Sequence, residues 1–164
     1  GCTPLGCAAM CGKLDAVKFL IEHKAAIDKG DQWRITPLQR ACAGGRIEIA
    51  EFLLDHRAGI DTTQQLGKTA LTFAVSNNRA KCVKLLLERK ADATVKVAAG
   101  DHKDKTALDI AKDKELDEIM SLLQFASTAA PPPAPPAPAP RVESQSTSAS
   151  DSTVAGGQQV DVVQ

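Results

Sequence analysis

The sequence predicts an all-α solenoid: about four helix-turn-helix repeats joined by hairpin-like loops, followed by a disordered C-terminal tail. Three observations predict it. Thr3, Thr36 and Thr69 open nearly the same phrase at intervals of 33 residues, and Thr106 opens it a fourth time. Apolar or small residues then recur in fixed columns of each copy, which marks a stack of short supersecondary units. Beyond residue 125 the composition turns to proline and alanine, then to serine, glutamine and glycine. Such a segment buries too little apolar surface to offset the entropy of ordering.

Each repeat reads in the same order. The threonine suits a helix start, because its hydroxyl can accept from a backbone NH of the first turn. Pro4 and Pro37 follow where a missing NH costs nothing. Leu5, Leu38, Leu71 and Leu108 begin an apolar stripe, and Ala8, Ala41, Ala74 and Ala111 form a small column that allows close backbone approach. Gly12, Gly45 and Asn78 suit the left-handed residue that ends a short helix. A second helix follows, over about Asp15 to His23, Glu48 to His56, Ala80 to Arg89 and Asp117 to Phe125. Its apolar residues fall at helical spacing, as with Val17, Leu20 and Ile21 or Val83, Leu86 and Leu87. Ala25, Ala58 and Ala91 mark the exit into a polar loop. The repeats therefore run over about residues 3–35, 36–68, 69–105 and 106–125, with the tail at 126–164.

This pattern resembles the ankyrin repeat over about the first 125 residues. The match is carried by the Thr-Pro-Leu opening, the small column, the glycine turn and the Val-x-x-Leu-Leu second helix of residues 3–28, 36–61 and 69–94, with a shorter fourth copy. The chain departs from the family in two columns. Gly6, Gln39, Thr72 and Asp109 stand in place of its histidine, and Lys24, Arg57 and Lys90 in place of its exit glycine. Arg40 shares a column with Cys7, Phe73 and Ile110, which predicts a stem laid on apolar surface and a guanidinium in water.

The resemblance implies a non-catalytic module that binds another protein through loop tips and the inward face of the first helices. Carried over by position, the candidate contact residues are Gln32, Trp33 and Ile35 before the second repeat, Gln65, Leu66 and Lys68 before the third, and His102, Lys103 and Lys105 before the fourth. Ser76 and Asn77 join them from the first helix of the third repeat. Trp33 stands out as the one tryptophan, a residue enriched at binding hot spots. Thr69 and Thr106 lie 37 residues apart, so four extra residues bulge somewhere between Ala91 and Thr106 as a longer finger. The alternative is a regulatory or targeting segment of a larger enzyme or channel.

Composition narrows the function further. Lys plus Arg and Asp plus Glu each total 20, so no global field attracts nucleic acid or an acidic membrane. The third repeat is locally basic, with Arg79, Lys81, Lys84, Arg89, Lys90 and Lys96, which reads as a solvated helix face rather than a nucleic-acid patch. Cys2, Cys7, Cys11, Cys42 and Cys82 are odd in number and lack paired metal-ligand spacing, so they are expected as buried or half-buried thiols in a reducing cytoplasm or nucleus. No catalytic, cofactor or metal residues are expected, because the sequence has no nucleophile–base pairing, phosphate loop or zinc motif. Residues 129–140 form an alanine-proline spacer, with a docking PxxP at Pro135 to Pro138 as the lesser reading. Gly1 is not an initiator methionine and the chain opens inside the loop before a repeat's first helix, so the sequence reads as a fragment with room upstream for targeting signals and further repeats.

Overall fold

Each first helix starts on a threonine oxygen. In the computed structural model, which describes residues 1–128, Thr3, Thr36, Thr69 and Thr106 hold extended backbone. Their hydroxyls accept from the NH groups of Gly6, Gln39, Thr72 and Asp109. The eight helices among the described residues run in four pairs: α1 (Pro4–Cys11) with α2 (Leu14–Glu22), α3 (Pro37–Gly44) with α4 (Ile47–Asp55), α5 (Ala70–Ser76) with α6 (Ala80–Glu88), and α7 (Ala107–Asp113) with α8 (Asp117–Thr128). No strand occurs among the described residues. The helices match the sequence reading to within a residue or two, except that α8 continues past Phe125 to Thr128. The proline-rich stretch and the rest of the tail lie outside the described residues.

The turn inside each pair uses the left-handed residue that the glycine column predicts. Gly12 and Gly45 have φ of 76° and 69°, and Asn78 has 52°. Glu115 breaks the column in sequence yet takes the same backbone, with φ of 54°. At each turn the following NH then closes on the first helix, as Lys13 does on the Ala8 carbonyl at 3.0 Å.

First helices stack on one another in order, α1 on α3, α3 on α5 and α5 on α7, and second helices pair behind them. The alanine column makes this possible: Ala41, Ala74 and Ala111 are completely buried. At Gly44 even a methyl would come within 2.9 Å of the Met10 carbonyl. Leu38, Leu53, Leu71, Leu86, Ile110, Ile119 and Leu123 fill the space between pairs and are buried to within 2%. Each such side chain contributes roughly 1.5–3 kcal/mol by leaving water.

Polar bonds between repeats follow the same period. Arg46 donates to the Met10 carbonyl at 3.2 Å, Arg79 to Ala43 at 3.3 Å and Lys114 to Ser76 at 2.8 Å. A cation thus closes the carboxyl end of each preceding first helix, where free carbonyls and the helix dipole favour it. On the loops after the second helices, Asp28 accepts from the Gly59 NH at 3.0 Å and Asp61 from the Asp92 NH at 2.9 Å. The basic residues of the third repeat belong partly to this scheme, since Arg89 pairs with Glu51 and Asp55 of the repeat before.

The exit column carries a cost. Lys24, Arg57 and Lys90 sit at φ of 61°, 65° and 63°, where a side chain crowds its own carbonyl. Arg57→Gly is therefore expected to stabilise the fold by roughly 0.5–1 kcal/mol, the left-handed penalty less the added chain entropy of glycine. Urea unfolding checks this, with a rise in midpoint as the predicted outcome.

Candidate partner-binding surface

Three hairpins carry the connections between repeats. The first closes with the Asp31 NH on the Ile35 carbonyl at 3.1 Å, the second with Gln64 on Lys68 at 3.1 Å and the third with Val97 on Lys105 at 3.0 Å. Arg34, Gly67 and Asp104 make the left-handed turn before each closing residue, at φ of 63°, 76° and 61°. Asp31, Gln64 and Val97 keep the 33-residue period. The four extra residues therefore fall between Val97 and Lys105, and the tip of the third hairpin spans 98–104. His102 and Lys103 lie in this enlarged tip, not in a column equivalent to Trp33.

The hairpins lock to one another edge to edge. The Gln65 NH donates to the Trp33 carbonyl at 3.2 Å, and the Gln65 side chain to the Gln32 carbonyl at 3.0 Å. The Ala98 NH donates to the Leu66 carbonyl at 2.9 Å. Gly67 is needed for this approach, because any Cβ there would stand 2.6 Å from the Ala98 nitrogen.

A buried aspartate ties the first hairpin to the helices. The Asp31 carboxylate accepts from the Trp33 NH at 2.9 Å, the Ile35 NH at 3.0 Å and the Arg40 guanidinium. Burial pushes its pKa up, but the bond from Arg40 and the two backbone bonds outweigh this and hold it below the usual carboxylate range. Arg40 does not extend into water as its column suggested: its side chain is only 14% exposed and paired with a carboxylate that is wholly buried. A second guanidinium nitrogen of Arg40 lies 3.6 Å from the Met10 sulfur. The second hairpin is tied by Gln39, whose carbonyl accepts from the Thr36 NH at 3.0 Å while its amide donates to the Thr62 and Lys68 carbonyls. Gln39 and Asp109 complete capping boxes in the column where the family has histidine; Thr72 bonds the Thr69 carbonyl, and Gly6 offers no side chain.

The sequence-predicted contact residues separate into two groups. Gln32, Trp33, Gln65, Leu66, Asn77 and Lys103 are exposed, while Ile35, Lys68, Ser76, His102 and Lys105 are half-buried. Trp33 and Leu66 keep 50% and 42% of their surface in water on neighbouring tips, and Met10 on α1 keeps 43%. Asn77 bonds the Phe73 carbonyl at 2.8 Å and Lys105 pairs with Asp113 at 2.5 Å. Reading the sequence missed Asp31, Gln39 and the Arg46–Arg79 column. The arginines carried a usable signal, since they stand one period apart.

Other candidate chemistry resolves into structure. Cys42 and Cys82 are buried, and a hydrogen bond with Cys82, then burial, pushes the Cys42 thiol well up. Cys2, Cys7 and Cys11 are exposed rather than half-buried, because they sit on the outer side of the first helix and its approach. His23 and His56 each donate Nδ1–H to the carbonyl four residues back, Phe19 and Phe52, at 2.8 Å, and rest on those phenyl rings. Among the described residues no group of three or more His, Cys, Asp or Glu side chains could hold a metal ion. No helix among them is long and apolar enough to cross a membrane.

Stacked helix pairs with edge-locked hairpins define a repeat scaffold in which each repeat packs on its neighbours. The family model for ankyrin repeats (3 copies) matches residues 1–65 and 56–130, and the chain belongs to the ankyrin repeat family. Ankyrin repeats are in general modules for protein–protein interaction and are typically non-catalytic. A comparison with curated proteins gives no match.

The Asp31–Arg40 pair has a defined pH dependence. Because the folded pKa of Asp31 is lowered, its stabilisation is present at neutral pH and lost as pH falls below about 3.9 through the folded value. Asp31→Asn, which leaves Arg40 half-paired in a buried place, is expected to cost about 3 kcal/mol at pH 7. Urea unfolding of both proteins checks it, with the gap nearly constant down to about pH 4 and narrowing as pH falls further.

Proposed function

We propose that the chain is a non-catalytic binding module, and that its partner protein docks across the hairpin tips and the adjoining face of the first helices. One observation carries this reading. Trp33 and Leu66 present half-exposed apolar side chains on adjacent tips, and backbone bonds between hairpins fix those tips in register. Apolar groups held rigidly at a surface lose little entropy on binding, and an aromatic anchor flanked by polar groups is the usual centre of a hot spot. Gln32, Gln65 and Asn77 supply that polar surround. The half-buried Ile35, Lys68, Ser76, His102 and Lys105 complete the proposed surface. Nucleic acid and membrane are not the partners under this reading, because the chain carries no net charge. The five unpaired cysteines suit a cytoplasmic or nuclear location.

The test compares the wild-type chain with Trp33→Ala in affinity capture from native cell extract. The expected result is a protein retained by the wild type and weakened at least about tenfold by the substitution, the scale of a hot-spot truncation. Circular dichroism should show unchanged helicity and a nearly unchanged melting temperature. A large loss of stability would instead assign Trp33 to packing between the tips.

A further inference from the structure

Residues 98–104 of the enlarged third tip carry Asp101 and Asp104 against Lys103, but lysines from neighbouring segments act on the histidine of this tip. His102 belongs to that tip and is half-buried, with its Nδ1 buried and without a hydrogen-bond partner among the described residues. Three lysines come close enough to act on it electrostatically: Lys68 at the close of the second hairpin, Lys105 at the close of its own, and Lys114 at the end of α7. Asp101 is the carboxylate that acts on it in the opposite sense. Burial first, and then these lysines, hold the imidazole below its ordinary pKa. Lys114 is fixed by its bond to the Ser76 carbonyl at 2.8 Å, beside a Ser76 hydroxyl that is also buried and unpartnered among the described residues. Lys105 has Asp113 as its counter-ion, whereas no described carboxylate lies within ion-pair distance of Lys68 or Lys114.

Like charges brought together and buried polar atoms left without partners both cost free energy in the unliganded protein. A single kind of ligand relieves both, namely an anion that accepts hydrogen bonds. We propose that Lys68, Ser76, His102, Lys105 and Lys114 form a docking site for an acidic segment of a partner protein, recognised through its Asp and Glu carboxylates. The proposal rests on the binding role argued above and adds the chemistry of the partner. The cluster contains lysines and no arginine fork. It therefore suits several carboxylates spread along a segment better than one phosphate held bidentately. Asp101 acts on His102 in the opposite sense and Asp113 already pairs with Lys105, so the charge open to a ligand is that of Lys68 and Lys114. An acidic ligand also favours protonated His102, so binding strengthens as pH falls through the imidazole range.

Selection from a random dodecapeptide phage library on the whole chain tests this, followed by titration of the enriched peptides. The expected outcome is enrichment in Asp and Glu. The peptides should lose about tenfold in affinity against the Lys68→Glu/Lys114→Glu double variant, the scale of removing close charge pairs at an interface. They should also weaken with added salt and tighten from pH 8 to pH 6. If charge reversal lowers the melting temperature, Lys68→Gln/Lys114→Gln replaces it, with a smaller loss in the same direction. Neutral or apolar peptides that bind wild type and double variant alike, but fail on Trp33→Ala, would overturn the acidic docking site and leave the binding module standing. Absence of any enriched peptide would overturn both. Tighter binding of a single-stranded oligonucleotide than of the acidic peptides would give the cluster to nucleic acid instead.

Discussion

Contact between neighbouring first helices is the constraint on which everything else rests. Helices of seven to nine residues, as α1 to α7 are, are far below the length at which an isolated helix holds in water. Each persists because its alanine column lies against the next helix, with Ala41, Ala74 and Ala111 excluded from solvent. The leucines and isoleucines between pairs add the apolar burial. The arginine bonds to Met10 and Ala43 and the aspartate bonds to Gly59 and Asp92 set the register of one repeat on the next. Stability is then a sum of nearest-neighbour terms, as in any linear stack.

The hairpins lie outside this helix-on-helix contact. Their backbone groups are satisfied internally, by Asp31 in the first hairpin and by Gln39 under the second. Apart from Gln65, whose amide bonds the Gln32 carbonyl, and Gly67, the exposed tip side chains take no part in these bonds. Trp33, Leu66 and the residues of the third tip can vary in chemistry while the scaffold beneath them stays the same. Under the proposed function, rigid tips would offer a partner a surface already in place, so that little of the interaction energy is lost to ordering.

The columns of the sequence carried most of the fold. The threonine caps, the alanine contacts and the left-handed turns at Gly12, Gly45 and Asn78 are all local or strictly periodic, and periodicity is visible in one chain. What escaped the reading depends on which residues meet across the period. Arg40 and Asp31 lie nine positions apart, in a loop and a helix, and nothing in their spacing predicts a buried pair. Gln39 looked like a lost histidine and proved to be a cap that also holds the next loop. The placement of the insertion was ambiguous because a length difference says that residues were added, not where. The hairpin closing bonds resolve it to 98–104. For the candidate surface, position in the repeat identified which residues stand on the hairpin tips, with Trp33 and Leu66 exposed there. The convergence of Lys68, His102, Lys105 and Lys114 required the three-dimensional stack, since these residues come from three separate segments.

Native-state amide hydrogen exchange tests the dependence on neighbours most directly. If short helices are held only by stacking, the amides in the middle of α3 and α5 should exchange together, at the rate set by global unfolding, and should slow or quicken together when a single interface is altered. A substitution such as Ala74→Gly, at the junction of α3, α5 and α7, should then raise exchange in all three helices. Exchange that quickens in α5 alone, with α3 and α7 unchanged, would contradict the account.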